Sequence, residues 1–252
     1  MGRNRTPQDR DFNISKTYEL IASIMYTIMA LLAIIQEFIH SRHMVIVSIC
    51  LIIIIFCLEY RKDKIYDNGT KTRRDILLDD AFNQSYNPEE SQVRYYDNEQ
   101  IEPGLERLFW NVYESVFFSQ KILKKMIEET LLLLIIPVSV LMYSIFLNGL
   151  NSINAAVVTL VFSNMILKRI IVLRNTKNSV ERIYEQCSII ANEIHKKQSI
   201  NENIRNIMSI IIDYESTMSE NKYGLSNRLF LKHVYTLNND WYKIRDKYLN
   251  KN

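Results

Sequence analysis

Five glycines and four prolines in 252 residues leave little room for a glycine-rich phosphate loop or a disordered tail. Cysteine is also scarce. Cys50 and Cys57 lie seven residues apart in one apolar block and Cys187 stands alone, which is neither a zinc spacing nor a disulfide framework. Of the four histidines, His40 and His43 share one short turn, while His195 and His233 fall on separate helical stretches with no ligand spacing. No metalloprotease helix motif, phosphate-binding loop or dinucleotide fingerprint is present, so the chain is expected to be no enzyme and to need no cofactor. Charge of one sign is missing too. With 31 Lys+Arg against 28 Asp+Glu, the net charge of +3 lacks the basic field of a dedicated nucleic-acid binder.

What the chain has is segregation. The mean hydropathy of −0.10 averages over apolar blocks and the charged stretches between them. Leu20–Gln36 and Met44–Leu58 carry no charge, and Thr130–Leu167 contains no Asp, Glu, Lys, Arg or His. A bilayer core of roughly 30 Å takes about 20 helical residues, so Thr130–Leu167 suits two spans broken at Asn148-Gly149-Leu150-Asn151-Ser152. Spans are therefore expected near 18–38, 43–59, 129–147 and 152–173. Each must be helix, because backbone in lipid has to satisfy its own hydrogen bonds. Soluble core helices keep a polar stripe for water, and Leu131–Ile136 leaves none. Arg3, Arg5, Arg10 and Lys16 precede the first block, which has no small-residue cleavage site after it and reads as a signal anchor.

Lys and Arg crowd before span one, after span two, before span three and after span four. The turn between the first two holds only Arg42, and that between the last two nothing basic. By the positive-inside rule both termini and the middle segment are cytoplasmic. The expected fold is all-α: a multi-pass membrane protein with four transmembrane helices in two hairpins and a helical cytoplasmic layer. Its parts are a tail at 1–17, a hairpin at 18–59, a cytoplasmic segment at 60–128, a second hairpin at 129–173 and a C-terminal helical region at 174–252.

Two helices are expected to run from membrane into cytoplasm. Leu105, Leu108, Phe109, Val112, Val116, Phe117, Leu123 and Met126 fall at helical spacing with no break before the third span. One helix over 104–147 is roughly 65 Å long, and Pro137 inside it removes a backbone donor and kinks it. Val180, Ile183, Cys187, Ile190 and Ile194 continue the fourth span to about residue 197. Ile200, Ile204, Ile207 and Ile211 follow a cap at Ser199, and Leu229–Leu249 forms a last helix. Such three-four stripes serve as a cytoplasmic core or as an oligomer seam.

Lys71–Glu102 is the stretch of irregular chemistry. Arg73, Arg74, Arg94, Tyr95 and Tyr96 form either a small sensing site, with Arg for anions and Tyr for stacking, or a plain elbow packed on the helices. Asp75, Asp79 and Asp80 suggest a divalent ion only faintly, with no supporting cluster. In the membrane, Ala155, Thr159 and Ser163 step by four with Asn164 beside them, and Ser23 and Thr27 do so in span one. Small and hydroxyl residues let helices approach and bond across an interface. The same Thr159, Ser163 and Asn164 would line the lumen of an oligomeric pore. A transporter would bury an ionisable group at mid-membrane or show inverted repeats, and neither is seen.

Four spans, cytoplasmic termini and helical soluble parts make the chain similar to the four-span pore-forming effectors of bacterial anti-phage (CBASS-like) systems. The stretches Asp79-Asp80-Ala-Phe82, Tyr95-Tyr96-Asp97-Asn98 and Asn111-Val-Tyr113-Glu114-Ser-Val-Phe117-Phe118 look like a signature of such a family, and the layout covers nearly the whole chain. The resemblance transfers no functional position residue by residue. It implies an effector, silent in the inner membrane, that a nucleotide second messenger or a cytoplasmic partner protein causes to form homo-oligomers or open. Ions then leak across the lipid bilayer. The alternatives are a membrane scaffold or sensor that recruits a cytoplasmic enzyme and, behind it, a small transporter subunit.

Overall fold

A computed structural model describes residues 7–39, 42–84, 96, 98–149, 166–196 and 200–249, and among them there is helix and turn but no strand. Pro7 opens α1 (Pro7–Ile39), since its missing N–H is one a first helical turn leaves unpaired anyway. α2 (Arg42–Phe82) follows after a gap of two residues and packs back along α1. Ala22, Ala30 and Ile55 are buried in this pair, the small side chains letting the backbones approach. α3 (Leu105–Asn148) is 44 residues long, about 65 Å at 1.5 Å per residue. It runs through Pro137 and stops where the sequence breaks, with Gly149 as its cap at φ 65 and its N–H on Ile145 O. α4 (Leu167–His195), a short 3-10 turn (Ile200–Asn203), α5 (Ile204–Asn221) and α6 (Asn227–Leu249) complete the chain.

The soluble halves of these helices share one core. Phe109, Trp110, Tyr113 and Phe117 of α3 meet Leu173, Val180, Ile183 and Cys187 of α4, Ile207 and Tyr214 of α5 and Trp241 of α6. The Tyr113 and Trp241 rings cross edge-to-face at 5.2 Å between centroids, within the favoured range for aromatic pairs. Every one of these side chains is at most 2% exposed.

The other halves are the reverse. Among the described residues, three helices are long and apolar enough to cross a membrane, within Gln8–Ala33, Arg42–Phe82 and Leu105–Tyr143. In their most apolar windows only 11%, 6% and 12% of residues are buried. Leu132, Ile136 and Phe146 are 65%, 66% and 86% exposed. Helices that leave this much hydrocarbon bare, while the same chain packs a dense core beside them, belong in lipid. Most of the expected fourth span, with Thr159, Ser163 and Asn164, lies outside the described residues, as do Ser199, Arg94 and Tyr95.

Lys71, where the stretch of irregular chemistry begins, lies within a helix. α2 continues as helix to Phe82, so Arg73, Arg74, Asp75, Asp79 and Asp80 all sit on it. Tyr66, Thr70, Leu77 and Ala81, each at most 4% exposed, mark the face that packs inward and holds these turns in helix. α2 is thus one more helix joining an apolar segment to the soluble core.

Candidate site coupling the membrane helices to the soluble bundle

The end of α2 and the start of α3 are locked together by the elbow between them. Gly104 has φ 144 and ψ −162, a conformation open essentially only to glycine, and its N–H donates to Ala81 O at 2.8 Å. Arg107 donates through Nε to Ile101 O at 2.7 Å, tying the elbow to the first turn of α3. Behind it lies a buried polar chain. Asn111 Nδ2 donates to Asp80 Oδ2 at 2.7 Å, and Asn98 Nδ2 donates to Asn111 Oδ1 at 2.9 Å and to Glu114 Oε2 at 3.0 Å. Tyr96 is buried with its hydroxyl 3.2 Å from Ser115 Oγ. Polar side chains so enclosed are costly unless bonded, so they fix one geometry of the elbow.

About two turns earlier on α2 sits Arg73. Its NH2 group donates to Glu215 Oε2 of α5 at 2.7 Å, and the two side chains are 14% and 11% exposed. The guanidinium lies over the Tyr214 ring, 5.3 Å from its centroid, and the Tyr214 hydroxyl is 2.9 Å from Ser119 Oγ of α3. Burial alone lowers the Arg73 pKa, but Glu215 and then Tyr214 outweigh it and hold the group above its ordinary value. The pair is imperfectly met: Arg73 Nε and Glu215 Oε1 are buried without a hydrogen-bond partner. Nearby, the buried Tyr66 hydroxyl donates to Met218 O at 2.9 Å, and burial pushes its pKa up.

Of the five residues read as a sensing group, three are described. Arg73 turns inward to Glu215 with Tyr96 among the groups that raise its pKa, Arg74 is exposed on α2, and Tyr96 is buried with its hydroxyl against Ser115 of α3. Among the described residues, no group of three or more His, Cys, Asp or Glu is placed to hold a metal ion. Asp80 instead accepts from Asn111. Sequence reasoning passed over Glu215 and Tyr214 as partners of Arg73, and Ser119 as the partner of Tyr214. The one available signal was Glu215 standing at the same helical face as Ile207, Ile211 and Met218, where a charge needs a partner. Compared with known proteins, the chain matches no family model, no curated protein and no solved structure.

Proposed function

We propose that this protein is a membrane effector that permeabilises the bacterial inner membrane when its soluble bundle receives a cytoplasmic signal. It does so with four spans, both termini on the cytoplasmic side, and as an assembly of several copies. One observation carries the reading: α2 and α3 each run unbroken from a bare apolar half into a buried soluble half. A rigid helix shared between two solvents transmits a displacement of one half to the other. Apolar faces left bare by the described residues can exchange lipid for another copy at little cost, since lipid and Leu are equally apolar.

The signal must favour the open assembly over the closed one, because equal affinity for both shifts nothing. Among the described residues of the sensing set, Arg74 is the exposed basic group, while Arg73 already holds the Glu215 carboxylate. Thr159, Ser163 and Asn164 are assigned to the water-filled path. On activation, protein reconstituted in liposomes should release a small dye and protein induced in cells should arrest growth. Thr159→Leu with Ser163→Leu should abolish both. Leakage at full strength in that double variant refutes the lining. No leakage from the unaltered protein, together with copurification of a soluble enzyme, moves the assignment to a recruiting scaffold.

A further inference from the structure

The turn between α5 and α6 is set among the other helices. Asn221 is buried; its Nδ2 donates to Tyr223 O, and Thr176 Oγ1 of α4 shares its proton between Val172 O and Asn221 Oδ1, at 2.9 and 3.3 Å. Lys222 then takes a left-handed backbone at φ 54, an unfavourable state for a residue with a Cβ unless its surroundings impose it. Its Nζ pairs with Asp67 of α2. The ring of Tyr223, 6% exposed, has Lys62 Nζ of α2 at 5.2 Å and Arg169 Cζ of α4 at 5.5 Å from its centroid. Gly224 fits against Phe12, Lys16 and Tyr66, and Lys16 Nζ of α1 donates to Leu225 O at 2.9 Å. Arg169 in turn donates to Glu19 Oε1 of α1 at 2.7 Å.

These contacts have one thing in common. Lys16 and Glu19 precede the apolar block at Leu20, Lys62 follows the block ending at Leu58, and Arg169 follows the one ending at Leu167. The turn therefore meets α1, α2 and α4 at residues that flank the uncharged stretches of the sequence. We propose that Lys222–Leu225 is an autoinhibitory bolt, seated between the α1–α2 pair and the α3–α4 pair, that holds the two pairs at one separation until it is withdrawn. The ring of Tyr223 is the pin, attracting a cation from each pair through its face. Lys222 and the Leu225 carbonyl fasten the bolt to the first pair, and Asn221 fastens its base to the second. The consequence for leakage rests on the permeabilising reading above; the control of separation does not.

The test is a distance measurement on the full chain in nanodiscs. Spin labels go on Leu20→Cys and Ile171→Cys, both exposed, one residue after Glu19 and two after Arg169, with the three native cysteines replaced by alanine. Tyr223→Ala should add a second, longer population to the distance distribution, and Tyr223→Phe, which keeps the ring, should match the parent. Should Tyr223→Ala lose its helical circular dichroism, Lys222→Glu gives the same reading, and Lys222→Glu with Asp67→Lys should reverse it. Distributions unchanged in Tyr223→Ala, or in Lys222→Glu where the former does not fold, overturn the bolt. The same samples made into dye-loaded liposomes separate the two claims. A longer distance without added leakage keeps the bolt and removes permeabilisation; a longer distance with leakage several-fold above the parent supports both.

Discussion

Arg73 and Glu215 show how a pair of charges can be worth more by its breaking than by its making. Both are largely out of water, so the desolvation cost of each is offset mainly by the other. Arg73→Met should leave Glu215 buried and unpaired and cost about 3–5 kcal/mol, whereas Arg73→Met with Glu215→Leu should regain most of that loss. Denaturant titration in mild detergent, following tryptophan fluorescence from Trp110 and Trp241 in the adjoining core, measures both; equal destabilisation in single and double variants refutes the coupling. Tyr223 makes a prediction about pH. Burial, then the negative charge of Glu19, raises its pKa from 10.0 to about 12. Between those values the unfolded chain has lost the phenolic proton and the folded protein still holds it. The stabilisation from Tyr223 is therefore complete below pH 10 and fades as pH approaches 12. In Tyr223→Phe, which cannot ionise, the fall in melting temperature between pH 10 and 12 should be shallower than in the parent. Parallel curves would show that the ring is not held as described.

At the scale of the element, the apolar segments were legible because their signal is absolute: Leu20–Gln36, Met44–Leu58 and Leu131–Ile136 have no charge to place in lipid. The long α3 was legible as well, since the spacing from Leu105 to Met126 never breaks. The soluble half of α2 was not. Its inward face reads Tyr66, Thr70, Arg73, Leu77 and Ala81, steps of four, three, four and four, but two of the five are polar and paired charges flank them. A sequence displays a charge without its partner, and Glu215 lies 142 residues away. The same holds for the turn at Lys222, whose left-handed backbone is imposed by contacts from α1, α2 and α4 rather than by a glycine. The helical reading of α2 has a direct check. In hydrogen exchange, the amides of Ile76, Leu77 and Ala81 should be protected like those of Leu108 and Val112, because all are buried helical positions. Exchange at loop rates from residue 71 onward would remove the helical end of α2 and with it the coupling rod.

For the whole molecule the question is which solvent surrounds the bare helices. Leu132, Leu133, Ile135 and Ile136 are each more than half exposed on one stretch of α3. Leaving just these four in water forgoes on the order of 5 kcal/mol of transfer free energy, which alone matches the net stability of a small domain. The comparable surfaces of α1 and α2 add to it, so a water-soluble chain with this shape would collapse or aggregate. Lipid removes the penalty and leaves the geometry as it is, and this makes accessibility and exposure diverge in a measurable way. In a cysteine-free chain reconstituted in liposomes, a membrane-impermeant maleimide should modify Lys124→Cys, on an exposed site of α3 before the apolar run. It should fail at Ile136→Cys, although Ile136 is 66% exposed. Dissolving the liposomes in denaturant should make both react. If Ile136→Cys reacts as fast as Lys124→Cys while the bilayer is intact, then water reaches that face. Either the helix lines an aqueous path, contrary to the assignment of Thr159 and Ser163, or it never enters the membrane; flotation of the same liposomes on a sucrose gradient separates the two, because only a membrane-embedded chain rises with the lipid.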